Sequence, residues 1–257
     1  MRSSNPVLTR LGETATRERS SAGYGSGPIT DARMMSLDDV VVRTVGLVVL
    51  TTIAAGISWN VFTTGPVALL ATIGSLLAGL VLGLVIAFAR ITNPLVIGAY
   101  AVVEGVLLGV VSRYFEDAYG GIVIQAVVGT LGVFVGMAVL YKLRILRATP
   151  KFTRFVIGAL IGVVALSLVN WIVALVSGHS LLVEYSVDGK VGPIPIIFSL
   201  VCIGVGALTF ILDFDQIEQG VRYGLPEKYA WYCAFGLLVG LIFLYWQILR
   251  LLSYLRR

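Results

Sequence analysis

The sequence predicts an all-α polytopic membrane protein, a bundle of seven transmembrane helices. Three observations predict it. Of 257 residues, 58% are hydrophobic and only 13% are charged, where a soluble domain carries about 25% charged residues. Mean hydropathy is +0.94, and several apolar runs exceed the roughly 18 residues that cross a bilayer as a helix. They are too long and unbroken for barrel strands of about 10 alternating residues. Prolines also mark the borders of the runs. Pro66, Pro94, Pro193 and Pro226 fall in the first turn of a proposed helix, where a missing N–H breaks no hydrogen bond. Pro195 is still in a first turn, and Pro6, Pro28 and Pro150 lie in tail or loop.

Two domains are expected: a flexible cytoplasmic N-terminal tail over residues 1–38 and a seven-helix transmembrane domain over 39–257. The tail is rich in Arg, Ser, Gly and Thr and has too few large apolar residues to pack a core. It lacks the short apolar run and cleavage site of a signal peptide. Ser36, with Asp39 three residues on, reads as a capping box that opens the first span, Asp39 to Phe62. The second span starts at the Thr63–Pro66 turn and ends at Arg90; the third runs from Asn93-Pro94 to about Tyr114. A short acidic link with Glu116, Asp117 and Gly120 leads to the fourth, ending at Tyr141. The basic segment Lys142 to Arg154 precedes the fifth, which ends near Ser177. A polar loop, Gly178 to Gly192, has the Asp188-Gly189 signature of a small hairpin. The sixth span runs from Pro193 to Asp213 or Ile217, and the seventh from Pro226 to about Leu252.

Glycines at small-xxx-small spacing (Gly79/Gly83, Gly105/Gly109, Gly132/Gly136, Gly158/Gly162, Gly236/Gly240) predict closely approaching helices. With the N-terminus inside, fourteen of the nineteen Lys and Arg fall on the cytoplasmic side. The positive-inside rule then favours N-in and, for seven spans, C-out. The basic C-terminal end opposes this, and a re-entrant seventh segment would relieve the tension.

The charged residues within the spans carry the functional reading. In the N-in topology Arg90 and Asp213 end the second and sixth helices on the cytoplasmic side, with Arg43 about one turn into the first helix. An acid and one or two arginines at one level suit an ionic latch. Asp213, Asp215 and Glu218 crowd negative charge, which makes protonation responsive to pH. The structural alternative is that these groups snorkel to the interface and Asp213 pairs with Arg90 statically. Glu104 lies ten residues into the third span, about 15 Å of rise, and must face the bundle interior. Asn170 and Gln247 suit interhelical hydrogen bonds.

Other function classes find little support. No GxxxxGK[ST], HExxH or GxSxG occurs. An aspartyl protease needs two acids sharing one site at depth, and Asp213 and Glu104 are predicted at different depths; no enzyme activity is expected. Cys202 and Cys233 with the single His179 form no metal-ligand cluster, so neither metal nor cofactor is expected. The basic residues sit in loops without interleaved aromatics, which argues against nucleic acid.

The stretches MRSSNPVLTRLG, SLDDVVVRT, EGVLLG from Glu104, LDFDQIEQG at Asp213 and KYAWYCAFGLLVGLIFLYWQILRLL together resemble the Bax inhibitor-1 / YccA family, in its bacterial branch. The resemblance covers nearly all of the membrane portion. It implies a multi-pass protein of the bacterial inner membrane and a cation leak path permeable to Ca²⁺ and gated by protons. It also implies a pH-sensing aspartate pair on the sixth and seventh helices, with a second-helix arginine able to engage the first acid. Asp213 matches the sixth-helix aspartate and Arg90 the arginine. The seventh-helix aspartate is missing: registering the last helix on Ile248-Leu249-Arg250 puts Gly240 or Val239 there. Glu104, or Asp215 and Glu218, are candidate substitutes, and Arg43 a candidate second latch. Some bacterial relatives instead bind and restrain a membrane-embedded AAA protease, for which the tail Met1–Leu37 would serve.

Overall fold

The computed structural model describes residues 33–62, 65–177 and 192–256. Seven helices follow in order: α1 (Leu37–Val61), α2 (Pro66–Ala89), α3 (Pro94–Ala118), α4 (Ile122–Lys142), α5 (Pro150–Ser177), α6 (Pro193–Arg222) and α7 (Tyr229–Leu255). Each is long and apolar enough to cross a membrane, α7 included. The expected loop hairpin around Asp188-Gly189, and the tail before Arg33, lie outside the described residues.

Local chemistry explains most borders. The Ser36 hydroxyl accepts from the Asp39 N–H and the Asp39 carboxylate accepts from the Ser36 N–H, completing the capping box. Asn93 accepts from the Leu95 N–H ahead of Pro94. α2 ends at Arg90 in the left-handed region, φ 51°, a conformation uncommon for a side chain with a Cβ.

Four borders differ from expectation. α3 continues to Ala118 and takes Glu116 and Asp117 into its last turns. Pro150 opens α5 rather than lying in the preceding loop, as a proline at the first helical position can. α6 continues past Asp213 and Ile217 to Arg222, so all three of its acids are helical. Pro226 does not open α7. It forms an antiparallel bridge with Met34, flanked by Met35 N–H to Leu225 O at 2.8 Å and Glu227 N–H to Arg33 O at 2.9 Å. Residues 33–36 are therefore docked on the α6–α7 link rather than belonging to a free tail.

α7 is the hub, touching α1, α3, α4 and α6; α2 packs mainly on α3, with its last turn also reaching α7, and α5 packs on α6. Only some glycine pairs mediate this packing. A Cβ on Gly105 would lie 2.5 Å from the Thr51 carbonyl, and one on Gly109 2.3 Å from the Ala55 carbonyl, so α1 and α3 meet backbone to backbone. Gly79 and Gly83 of α2 instead make room for α3 side chains, Glu104 and Tyr100. The pairs Gly132/Gly136 and Gly158/Gly162 have nothing within 4 Å; they face outward, where spacing alone does not make a contact. Outer faces carry exposed Leu, Val and Ile, as hydrocarbon solvent permits.

Candidate functional site

The end of the bundle holding the start of α1 and α7 and the end of α2, α4 and α6 is called basal here, the opposite end distal. A cavity of about 350 Å³ between α1, α3, α4 and α7 is lined by Thr51, Ser112, Thr130 and Tyr245 among apolar residues and holds no carboxylate. The three acids of α6 are elsewhere, toward the basal end.

Asp213 sits nine residues before the end of α6, about 13 Å of helical rise, and is half-buried. It faces α7 at Cys233. Among the described residues it makes no hydrogen bond and no ion pair. One turn earlier, Phe210 is fully buried, its ring 2.8 Å from where a Gly240 Cβ would stand. Gly240 is one of the two positions at which the resemblance locates the second aspartate, so an aromatic ring fills that space. Val239, the other, is exposed. No Asp or Glu occurs anywhere on α7, and no group of three or more His, Cys, Asp or Glu comes together among the described residues.

The other two acids of α6 do not crowd Asp213. Two residues along a helix is about 200°, so Asp215 points away. It accepts a hydrogen bond from the Gln219 amide. Glu218 accepts from the Tyr141 hydroxyl and from Arg222. The expected triad thus divides into an isolated Asp213 and an Asp215–Glu218 group turned toward α4.

The model of the family described as Bax inhibitor 1 like matches residues 5–257. The chain belongs to that family. No individual curated protein matches it.

For a Bax inhibitor 1 like protein the arginines are arranged differently from expectation. Arg90 is exposed and joins no ion pair among the described residues; the latch to Asp213 is not formed in this structure. Its segment does touch α7, since the Tyr232 hydroxyl donates to the Ala87 carbonyl at 3.3 Å. Arg43 is also not at Asp213. Its guanidinium pairs with the Glu227 carboxylate, donates to the Glu227 carbonyl and lies 5.2 Å from the Trp231 ring centroid. The α6–α7 link is therefore a ligand for the first helix. An arginine one turn inside a span was the sign that such a partner exists.

Glu104 lies against α2: its Oε1 is 2.7 Å from where a Gly79 Cβ would be. Tyr100, one turn earlier, covers Gly83 in the same manner. α3 and α6 are not in contact, so the structure does not bring Glu104 to Asp213 as a substitute second acid. Gln247 is buried, but its Oε1 lacks the expected interhelical partner among the described residues.

Proposed function

We propose that this Bax inhibitor 1 like protein is a proton-sensitive cation leak, with Ca²⁺ among its permeant ions and Asp213 as the gate acid. The observation that carries the reading is Asp213 itself. A carboxylate inside a membrane helix, facing another helix without a hydrogen bond or counter-ion, is costly unless water, a proton or a cation attends it. The basal end is taken as cytoplasmic. Its basic residues, Arg90, Lys142, Arg144, Arg147 and Arg222, support that orientation.

The absence of a second carboxylate changes the expected switch. Two aspartates can share a proton; here one acid must be balanced by a cation. Arg90 is the available group, at the end of a helix that packs mainly on α3 and whose last turn touches Tyr232. A swing of α2 would carry its guanidinium toward the Cys233–Asp213 level. Ionised Asp213 would hold Arg90 and favour that arrangement; protonation removes the attraction and releases it. The protease-binding alternative rests on Met1–Leu37, nearly all outside the described residues, and nothing in the bundle favours it.

Ca²⁺ flux into proteoliposomes from about pH 4 to 8 spans the ordinary carboxylate range and its tail in buried sites. Arg90→Ala should raise the leak and flatten its pH response. Asp213→Asn should abolish the pH response, with lower entry if the acid also attracts the cation. Unchanged pH dependence in both variants would sink the assignment, and Glu104→Gln would be measured next.

A further inference from the structure

The cavity between α1, α3, α4 and α7 takes no part in the proposed gate, and it is open to the membrane. α1 and α4 do not pack on each other. α3 and α7 close the floor between them, tied by the Ser112–Tyr245 hydroxyl bond at 2.6 Å. Thr52, Gly56 and Asn60, at every fourth position of α1, line the cavity and are exposed. Val127 and Leu131 of α4 line it at 42% and 48% exposure. The cavity is therefore continuous along its side with the hydrocarbon-facing surface.

Its depth matches one leaflet. The lining on α1 runs from Asn60, at the distal end, down to Val48, about 18 Å of helical rise. Val48 on α1 and Leu131 on α4 each stand about 16 Å from the basal end of their helix. That is close to the middle of a hydrocarbon core about 30 Å thick. A slot that begins at the distal surface and stops at the midplane has the reach of one acyl chain.

Inside the slot the polar donors are already spent. The hydroxyls of Thr51, Thr52 and Thr130 donate to carbonyls one turn back on their own helices, and Ser112 and Tyr245 bond to each other. A cavity with no unmet polar group stays dry and accepts apolar matter, and about 350 Å³ suffices for a ligand. The distal rim is different. Among the described residues the Trp59 indole N–H donates to no group. The Trp59 carbonyl holds Arg113 Nη1 at 2.8 Å. Arg113 Nε makes no hydrogen bond, and Asp117 stands 3.6 Å from it, too far for one. An indole belongs at the headgroup level, and a guanidinium with an unused arm complements a phosphate.

We propose that this cavity holds one acyl chain of a distal-leaflet phospholipid, its end between Val48 and Leu241 and its phosphate at the Trp59–Arg113 rim. The site goes beyond the leak reading and stands without it, because the lipid fills the gap between α1 and α4 whether or not ions pass at Asp213.

Full-length protein, released into mild detergent from vesicles of phosphatidylethanolamine and phosphatidylglycerol, is weighed intact by native mass spectrometry. One phospholipid should remain bound. A Cβ meets nothing within 4 Å at either Gly56 or Gly46, but only Gly56 lines the cavity. Gly56→Phe should lower the bound fraction at least roughly tenfold by displacing a few methylenes, and Gly46→Phe should leave it unchanged. Arg113→Gln should lower it about threefold or more. In vesicles, wild-type protein is also irradiated with a phospholipid carrying a diazirine at the end of one chain. Crosslinks should form at Val48 and Leu241, although Leu241 is only 8% exposed, at least as strongly as at Val49, whose face is 50% exposed. Crosslinks confined to Val49, or equal lipid retention in Gly56→Phe and Gly46→Phe, overturn the site. Unchanged retention in Arg113→Gln, or an adduct with the mass of a free fatty acid, overturns the phosphate rim. The wild-type crosslinks decide the matter even where Gly56→Phe fails to fold.

Discussion

Gly109→Ala tests the closest contact in the bundle. Its Cβ would stand 2.3 Å from the Ala55 carbonyl oxygen and 2.8 Å from the Ser58 Cβ. Both obstacles are backbone or backbone-adjacent, so neither can rotate away. Restoring the ordinary 3.4 Å separation moves α1 from α3 by about 1.1 Å along this contact. Overpacking of this kind costs about 1–3 kcal/mol. The separation also stretches the Ser58 hydroxyl bond to the Val106 carbonyl, now 2.8 Å, worth about 0.6 kcal/mol between membrane helices. Gly132→Ala is the matched control, since nothing lies within 4 Å of that position. It should be neutral or gain up to about 1 kcal/mol from helix propensity. The two variants should differ by about 2–4 kcal/mol in equilibrium unfolding by SDS in mixed micelles, followed by circular dichroism. A difference below about 0.5 kcal/mol, the scatter of inconsequential substitutions, would refute the tight α1–α3 approach.

Three further outcomes are expected. Ser36→Ala removes the capping box and should cost about 1 kcal/mol in the same unfolding assay. Arg43→Gln and Glu227→Gln should each destabilise by about 1–3 kcal/mol, the double variant by less than their sum; strict additivity would show that the pair is not coupled. With the basal end cytoplasmic, a cysteine at Gly120 should be labelled from outside and one at Thr149 should not, and the reverse pattern would invert the orientation.

Hydropathy and proline placement made the seven spans readable because hydrocarbon solvent demands long apolar runs with their breaks at the ends. The end of α6 escaped the same reasoning. Hydropathy marks where the hydrocarbon stops, whereas the helix continues through Asp213, Asp215 and Glu218 to Arg222 on backbone hydrogen bonds and the side-chain pairs Asp215–Gln219 and Glu218–Arg222. Spacing identified Gly105 and Gly109 correctly and misled at Gly132 and Gly158, since it does not say which face meets a neighbour. Asp213 was legible as a candidate gate acid, but its separation from Asp215, Glu218 and Arg90 was not. Nor was the ring of Phe210 over Gly240, because it depends on the register between two helices. The pairing of Arg43 with Glu227 joins residues 184 positions apart, and local pattern carries no information at that range.

That last pairing bears on how the protein is made. The chain emerges from its N-terminus, so α1, α2 and α3 can stack as soon as they are synthesised. Arg43 enters the membrane with them, yet its carboxylate and carbonyl acceptor, and the Trp231 ring beneath it, belong to the last helix and the link before it. Met34 and Met35 wait for Leu225 and Pro226 in the same way. Until translation passes that link, the Arg43 guanidinium has only Asp39, one turn earlier on its own helix, as a charged neighbour. A truncated product would lack the Glu227 acceptors and the Trp231 ring altogether. The clasp therefore forms only in a finished bundle, where the first helix and the last link are both present.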